Sequence, residues 1–199
     1  CVKLLLEAGA DKNKAITKHG YTPLYIAADK GHERIVKLLL DAGADIDLLS
    51  KNGSTPLMTA AHKCHSCVKL LLEAGADKDK ANENGFTPLF IAAQKGHDSC
   101  VKLLLEAGAD KDRARNNYGD TPLNMAARRG HDACVKLLLE AGANKNKAQK
   151  DGRTPLYAAA QNDLLIELEA EIGVQTDEAQ KDGRTPLYAA AHNDLLTVD

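Results

Sequence analysis

With 199 residues, 44% of them hydrophobic, the chain is long and apolar enough to bury a continuous core, which excludes a disordered protein. Its formal net charge of -2 lacks the basic excess of a protein that follows a nucleic-acid backbone. Its apolar runs are far shorter than the roughly 20 residues that cross a bilayer. We therefore expect neither nucleic acid nor a membrane as its partner.

The chain is organised by a short repeat that its prolines mark. A threonine precedes and a leucine follows every proline, at steps of 33, 32, 34, 33 and 31 residues: Pro23, Pro56, Pro88, Pro122, Pro155 and Pro186. Threonine accepts a hydrogen bond from a free backbone N–H at a helix start, and proline in the first helical position loses no bond. A short first helix is therefore predicted in every repeat, ending at a left-handed glycine such as Gly31, Gly96 or Gly130.

A second helix follows in most repeats and carries Val-Lys-Leu-Leu-Leu, as at 101–105. Three adjacent leucines cover roughly 200° of a helix, so neighbours must cover this helix on two sides. Gly108 and its equivalents end it, and Asn-Gly or Asp-Gly at 52–53, 84–85 and 151–152 predicts a tight turn before the next Thr-Pro. Helices below about 12 to 15 residues are unstable alone, so stability must come from stacking the repeats in a row.

This unit closely resembles the ankyrin repeat, because it combines a turn, a Thr-Pro-Leu helix start, Gly-His between the helices and a final Leu-Leu-Leu-x-x-Gly-Ala. The resemblance covers essentially the whole chain. It implies an all-α solenoid of stacked helix–turn–helix units with β-turn fingers. It also implies that the fingers and first helices together form a concave surface that binds a partner.

The spacing divides residues 1–199, as one domain, into consecutive repeats. We assign a half repeat to 1–16, full repeats to 17–49, 50–81, 82–115, 116–148 and 149–179, and a partial repeat to 180–199. Because both ends cut through a repeat, we interpret the chain as a fragment of a longer array. A monomer is expected, although uncapped ends would favour end-to-end association.

Three departures from the family pattern carry structural expectations. The usual histidine after Thr-Pro-Leu is replaced, so packing is expected to take the place of its hydrogen bonds. Repeat 50–81 is one residue short, with Cys64 where other repeats have glycine. A non-glycine residue in a left-handed cap costs about 1 kcal/mol, which predicts an irregular helix junction. Repeat 149–179 loses the Gly-His between its helices. The residues that stand in place of the usual histidine after Thr-Pro-Leu are Tyr25, Met58, Phe90, Asn124, Tyr157 and Tyr188.

Four of the five cysteines occupy the same place, immediately before Val-Lys-Leu-Leu-Leu: Cys1, Cys67, Cys100 and Cys134. This regularity indicates a packing slot rather than a disulfide framework, and hence a reducing compartment, cytoplasmic or nuclear. Cys64 and Cys67 with His62 and His65 resemble half of a zinc site. Four ligands within six residues could not readily surround one tetrahedral ion, so no metal or other cofactor is predicted, and a redox Cys-x-x-Cys is disfavoured.

The candidate binding residues are those that vary while the frame of the repeat stays fixed. The first-helix ends predict a basic stripe of Lys30, Lys63, Lys95, Arg128 and Arg129. The finger tips contribute Tyr21, Phe86, Tyr118 and Arg153, and Asp120 is also placed at an exposed tip. Aromatic side chains and arginine often dominate binding energy at interfaces, so this surface suits an acidic, partly apolar peptide or protein. Ordinary solvated lysine and arginine side chains are the alternative.

We therefore predict a protein–protein interaction scaffold without catalysis, since no nucleophile elbow, phosphate loop or distinctive carboxylate pair is present. Two alternatives remain open. The chain could be the recognition arm of a larger enzyme, channel or effector, or a structural spacer in a larger assembly.

Overall fold

A computed structural model describes residues 1–64, 66–115 and 118–161. Ten α-helices and no β-strand lie in these residues. The first helices of the repeats are α2 (Pro23–Asp29), α4 (Pro56–Lys63), α6 (Pro88–Lys95), α8 (Pro122–Arg128) and α10 (Pro155–Ala160). The second helices are α1 (Val2–Glu7), α3 (Glu33–Asp41), α5 (Cys67–Glu73), α7 (Asp98–Glu106) and α9 (Asp132–Glu140).

The all-α fold of stacked helix–turn–helix units is confirmed. The second half of repeat 149–179 and the partial repeat 180–199, with Tyr188, lie outside the described residues. Over the described part of the chain, no helix is long and apolar enough to span a membrane.

Each first helix begins as the sequence predicts. Thr55 Oγ1 accepts a hydrogen bond from Met58 N at 3.2 Å, and Thr87 Oγ1 accepts one from Phe90 N at 3.2 Å. The threonines before α2, α8 and α10 make the same bond. This cap satisfies one of the backbone N–H groups that a helix start leaves free, and the proline that follows has none to satisfy.

The repeats stack so that one core runs along the array. Helices α2, α4, α6 and α8 each pack against their own second helix and against the first helix of the next repeat, and the second helices contact one another in a row. In α3, α5, α7 and α9 the middle one of three leucines is buried, as at Leu104, and the outer two are half-buried, whereas Leu4 and Leu5 of α1 are exposed. Neighbouring repeats thus cover the wide apolar face from two sides, as expected.

The position that replaces the family's histidine is buried in every described repeat. Tyr25, Met58, Phe90 and Tyr157 are at most 8% exposed, so packing takes the place of the histidine, and the Tyr25 hydroxyl also hydrogen-bonds to Thr59. Asn124 is fully buried too, and its side chain hydrogen-bonds to Thr121 Oγ1 at 2.6 Å. The prediction is confirmed, with one polar variant.

Repeat 50–81 has the irregular junction that its missing residue predicts. Cys64 ends α4 in the left-handed region, with φ 53°, and is the one described non-glycine residue with positive φ. The following helix α5 starts at Cys67, whereas α7 starts two residues before the equivalent Cys100. A shorter connection therefore shortens the second helix of this repeat.

Each finger closes with a backbone hydrogen bond across its base. Ser50 N donates to Ser54 O at 3.0 Å, and Asn82 N donates to Phe86 O at 3.0 Å. The fingers at 16–21 and 115–120 are one residue longer but close in the same way. The predicted tight turns are thus present at 50–54, 82–86 and 149–153.

Neighbouring repeats are also joined outside the core. Between fingers, Lys51 N donates to His19 O at 3.0 Å, an approach that Gly20 permits because a Cβ there would lie 3.0 Å from Lys51 N. Between the loops after the second helices, an Asp or Asn side chain accepts from the backbone of the next repeat. The side chains that accept these four hydrogen bonds, each with its backbone donor, are Asn13 with Asp45 N, Asp47 with Asp77 N, Asp79 with Asp110 N, and Asp112 with Asn144 N.

Candidate binding surface

The end of each described first helix from α2 to α8 presents one basic residue in the same register. Seven residues after the helix-starting proline stand Lys30, Lys63, Lys95 and Arg129, and all four are exposed. Because α2, α4, α6 and α8 pack side by side in that order, these side chains form a row across the array. We call these four residues the basic row.

Arg128, predicted to belong to the same stripe, lies in a different setting. It stands one position earlier than the basic row and is half-buried. Its Nη1 atom lies 3.4 Å from Asp120 Oδ1, and its Nη2 atom lies 3.4 Å from Met125 Sδ. Arg128 therefore pairs with an internal carboxylate, and Arg129 alone continues the row.

Asp120 was expected at an exposed finger tip, and this expectation is wrong. Its side chain is fully buried, and Arg115 Nη2 donates to its Oδ2 atom at 3.0 Å. Burial of a carboxylate is tolerated only when cations compensate its charge, and here Arg115 and Arg128 approach it from two sides. The finger at 115–120 is thereby tied to the end of α8.

Arg115 also holds the aromatic side chains of two fingers. Its guanidinium carbon lies 4.2 Å from the ring centroid of Tyr118 and 5.3 Å from that of Phe86. Such cation–π contacts orient the rings. Tyr118 remains 61% exposed, as predicted, whereas Phe86 is half-buried against Phe90, with ring centroids 5.2 Å apart.

Sequence reasoning missed Arg115. A signal was present, because Arg115 and Asp120 occupy the two ends of a finger base and carry opposite charges. The equivalent pair in repeat 50–81 is Ser50 and Ser54, which are neutral. An opposite-charge pair at these two positions indicates an ion pair across the finger.

The remaining predicted tips are partly covered. Tyr21, predicted at an exposed tip, is half-buried and stacks on Tyr25 with ring centroids 4.4 Å apart. Arg153 is half-buried, with its Nε atom 3.3 Å from Asp151 Oδ2 and its guanidinium 5.9 Å from the Tyr157 ring. Stacking against the first helix explains both, since an aromatic residue follows in the histidine position.

A groove of about 320 Å³ opens on the first-helix side, where α2, α4 and α6 meet the finger at 50–54. At its floor, Thr59 Oγ1 donates to Asp29 Oδ1 at 3.1 Å. Its walls are mixed, combining Met58 and Ile91 with His62, Lys63 and polar finger atoms. The groove thus offers apolar contact beside the middle of the basic row, and we call it the first-helix groove.

Lys63 and Lys95 of the basic row act on His62, which lines this groove. Burial, and next the charges of Lys95 and Lys63, lower the pKa of the His62 imidazole below its ordinary value. His62 is therefore neutral at pH 7, and the two lysines supply the positive charge. Asp29, at the floor of the groove, adds a negative charge, and its Oδ2 atom lies 3.8 Å from Lys30 Nζ, whose charge it partly offsets.

No group of three or more His, Cys, Asp or Glu side chains in the described residues is arranged to hold a metal ion. Of the half zinc site considered from the sequence, His65 lies outside those residues. The Cys64 sulfur lies beside that of Cys100, with the Sγ atoms 2.7 Å apart.

A family profile described as ankyrin repeats in three copies matches the chain at 1–50, 42–115, 67–149 and 111–176. Together these matches cover most of its length, including every described helix.

Three curated relatives illustrate the setting in which such repeats occur. Ankyrin repeat and SAM domain-containing protein 6 of Rattus norvegicus is 50% identical over 27% of this chain and 6% of its own length. The 2-5A-dependent ribonuclease of Homo sapiens is 48% identical over 30% of this chain and 8% of its own length. Human ankyrin repeat and SOCS box protein 16 is 45% identical over 30% of this chain and 13% of its own length. The chain thus matches only a small part of each relative.

Proposed function

Because the chain belongs to the ankyrin-repeat family, we propose that it is a non-catalytic scaffold that binds an acidic, partly apolar segment of another protein. Ankyrin repeats in general mediate protein–protein interaction. The observation that carries the more specific proposal is the basic row beside the first-helix groove. We further propose a cytoplasmic or nuclear location, because the recurring cysteines fill packing slots.

The row and the groove supply different parts of recognition. Exposed Lys63 and Lys95 would attract carboxylates and set the orientation of an acidic segment. In the groove, half-buried Ile91 would contact an apolar side chain, whose burial contributes more binding energy than an exposed ion pair. Tyr118, which Arg115 holds in place at a finger, would add an aromatic contact.

The test is a selection from a random peptide library on the immobilised full chain. The row variant changes Lys30, Lys63, Lys95 and Arg129 to Glu. The matched control changes four exposed second-helix lysines to Glu, which alters the net charge equally on another face: Lys37, Lys69, Lys102 and Lys136. Circular dichroism verifies that all three proteins fold.

We expect the wild type and the control to enrich acidic peptides that contain an apolar residue, and the row variant to bind them at least tenfold more weakly. Equal binding by the row variant would show that the surface is wrongly assigned. A wild type that enriches no peptide would favour the spacer alternative.

A second function is favoured by the relatives, whose names include a SAM domain, a SOCS box or a ribonuclease activity. The chain spans 6 to 13% of these three proteins. The repeats would then be the recognition arm of a larger protein. Sequencing the complete reading frame tests this: a further domain supports it, and an array of repeats alone contradicts it.

A further inference from the structure

We propose that Cys64 and Cys100 form a reversible disulfide that links repeats 50–81 and 82–115 when a low-molecular-weight disulfide is present as the oxidant. The two residues are 36 positions apart and belong to neighbouring repeats. Their Sγ atoms lie 2.7 Å apart, less than an ångström beyond the bonded distance of about 2.05 Å. This pairing goes beyond the proposed binding function and is independent of it.

The pairing arises from the departure that makes repeat 50–81 irregular. Cys64 stands where the other full repeats before residue 149 have glycine, and it adopts the left-handed conformation that those glycines adopt. A glycine there offers no side chain to the next repeat. Cys64 instead directs its thiol at the cysteine slot of the next second helix, where Cys100 is 2% exposed.

The other cysteines of that slot provide an internal comparison. At the equivalent positions of the preceding repeats stand Gly31 for Cys67 and Gly96 for Cys134, and neither glycine has a thiol. Burial raises the pKa of the Cys134 thiol to about 11 and also raises that of Cys67, so both are poorly reactive. One thiol pair in the described residues is thus in contact.

The order of reaction follows from exposure. Cys64 is half-buried at the end of α4, with Ser99 Oγ 3.2 Å from its sulfur, whereas Cys100 is enclosed. The Cys64 thiolate attacks the oxidant RSSR, forms a mixed disulfide and releases one RS⁻. Cys100 then loses its proton and attacks the Cys64 sulfur, which expels the second RS⁻. In sum, two thiols and one RSSR give the protein disulfide and two RSH.

The slow step is the second one. Burial, and next the contact with Cys64, raise the pKa of the Cys100 thiol well above its ordinary value. A disulfide across the junction would also fix the end of α4, where Lys63 of the basic row stands.

The experiment treats the full chain with oxidised glutathione, blocks free thiols, and maps tryptic peptides without reduction. Cleavage after lysine and arginine gives 64–69, with both Cys64 and Cys67, 96–102 with Cys100, and 130–136 with Cys134. The C67S variant therefore makes the linkage unambiguous. C134S is the matched control in the slot of Cys100, and C64S removes the attacking thiol.

We expect a disulfide that links peptides 64–69 and 96–102 in the wild type, C67S and C134S. This link should be absent in C64S, and dithiothreitol should reverse it. The oxidised wild type should also unfold at a higher urea concentration than the reduced one. Circular dichroism verifies folding. A disulfide within 64–69, a link to 130–136, or a glutathione adduct on Cys64 that never resolves would each overturn the proposal.

Discussion

Repeats 50–81 and 116–148 share a core and differ in both of their turns. Their core leucines and valines are at most 1% exposed in each: Leu57, Val68 and Leu71 in one, and Leu123, Val135 and Leu138 in the other. Their first helices start with the same Thr-Pro cap. Stacking therefore depends on residues that the two repeats have in common.

The finger bases of these repeats are stabilised by different chemistry. In repeat 50–81, the Ser50 hydroxyl donates to Ser54 O at 2.9 Å, and both residues at the finger base are neutral. In the other, buried Asp120 joins two arginines, one on each side. At the junction between the two helices, repeat 50–81 has Cys64 in the left-handed position that Gly130 holds in repeat 116–148.

The residues of the turns can therefore differ in charge and type between repeats while the core remains the same. A solenoid makes this feasible because each repeat contacts mainly its neighbours, so a local change has local consequences. The changes are also where specific interactions arise, namely an ordered aromatic tip at Tyr118 and a thiol pair at Cys64 and Cys100.

The largest effect is expected from D120A, which would lower the free energy of unfolding by about 3 kcal/mol, because it leaves two partly buried arginines without their carboxylate. The matched variant S54A, at the same place in the finger whose base is uncharged, should change it by less than about 0.5 kcal/mol. Urea denaturation followed by circular dichroism measures both. Similar values for the two variants would mean that the buried charges do not distinguish the fingers.

A smaller effect is expected from exchanging residues at the helix junctions. G96A should cost about 2 kcal/mol, because alanine is strained at φ 71° and its Cβ would lie 2.7 Å from His131 Nδ1. C64G should stabilise the chain by roughly 0.5 kcal/mol, since it removes left-handed strain of about 1–2 kcal/mol and adds a glycine entropy cost of about 0.5–1 kcal/mol. Thermal and urea unfolding measure both, and destabilisation by C64G would show that Cys64 is not strained.

The smallest difference is expected between the threonine N-caps of the first helices in two repeats, one with Cys64 at its helix junction and one with Gly96. T55A and T87A should each lower the free energy of unfolding by about 1 kcal/mol, because both threonines accept the same 3.2 Å hydrogen bond. Equal losses in urea denaturation would confine the irregularity of repeat 50–81 to its junction. A clearly smaller loss for T55A would mean that the irregularity reaches the start of α4.

Much of the fold could be predicted because its signals are local. The Thr-Pro caps, the left-handed glycines and the leucine triplets act within one or two turns of chain. The left-handed Cys64 was also predictable, since a missing residue beside a missing glycine forces the backbone there. The binding surface was predicted only in part, because exposure at a finger depends on what stacks on it, as at Tyr21 and Phe86.

The sequence by itself determined the repeat, the helix starts and ends, and the register that aligns Lys30, Lys63, Lys95 and Arg129. These follow from hydrogen bonds and backbone preferences between residues close in the chain. Only the tertiary structure decided the pairing of Cys64 with Cys100 across 36 residues and the burial of Asp120 between two arginines. Such contacts depend on the distance and angle at which neighbouring repeats pack, which no residue specifies alone.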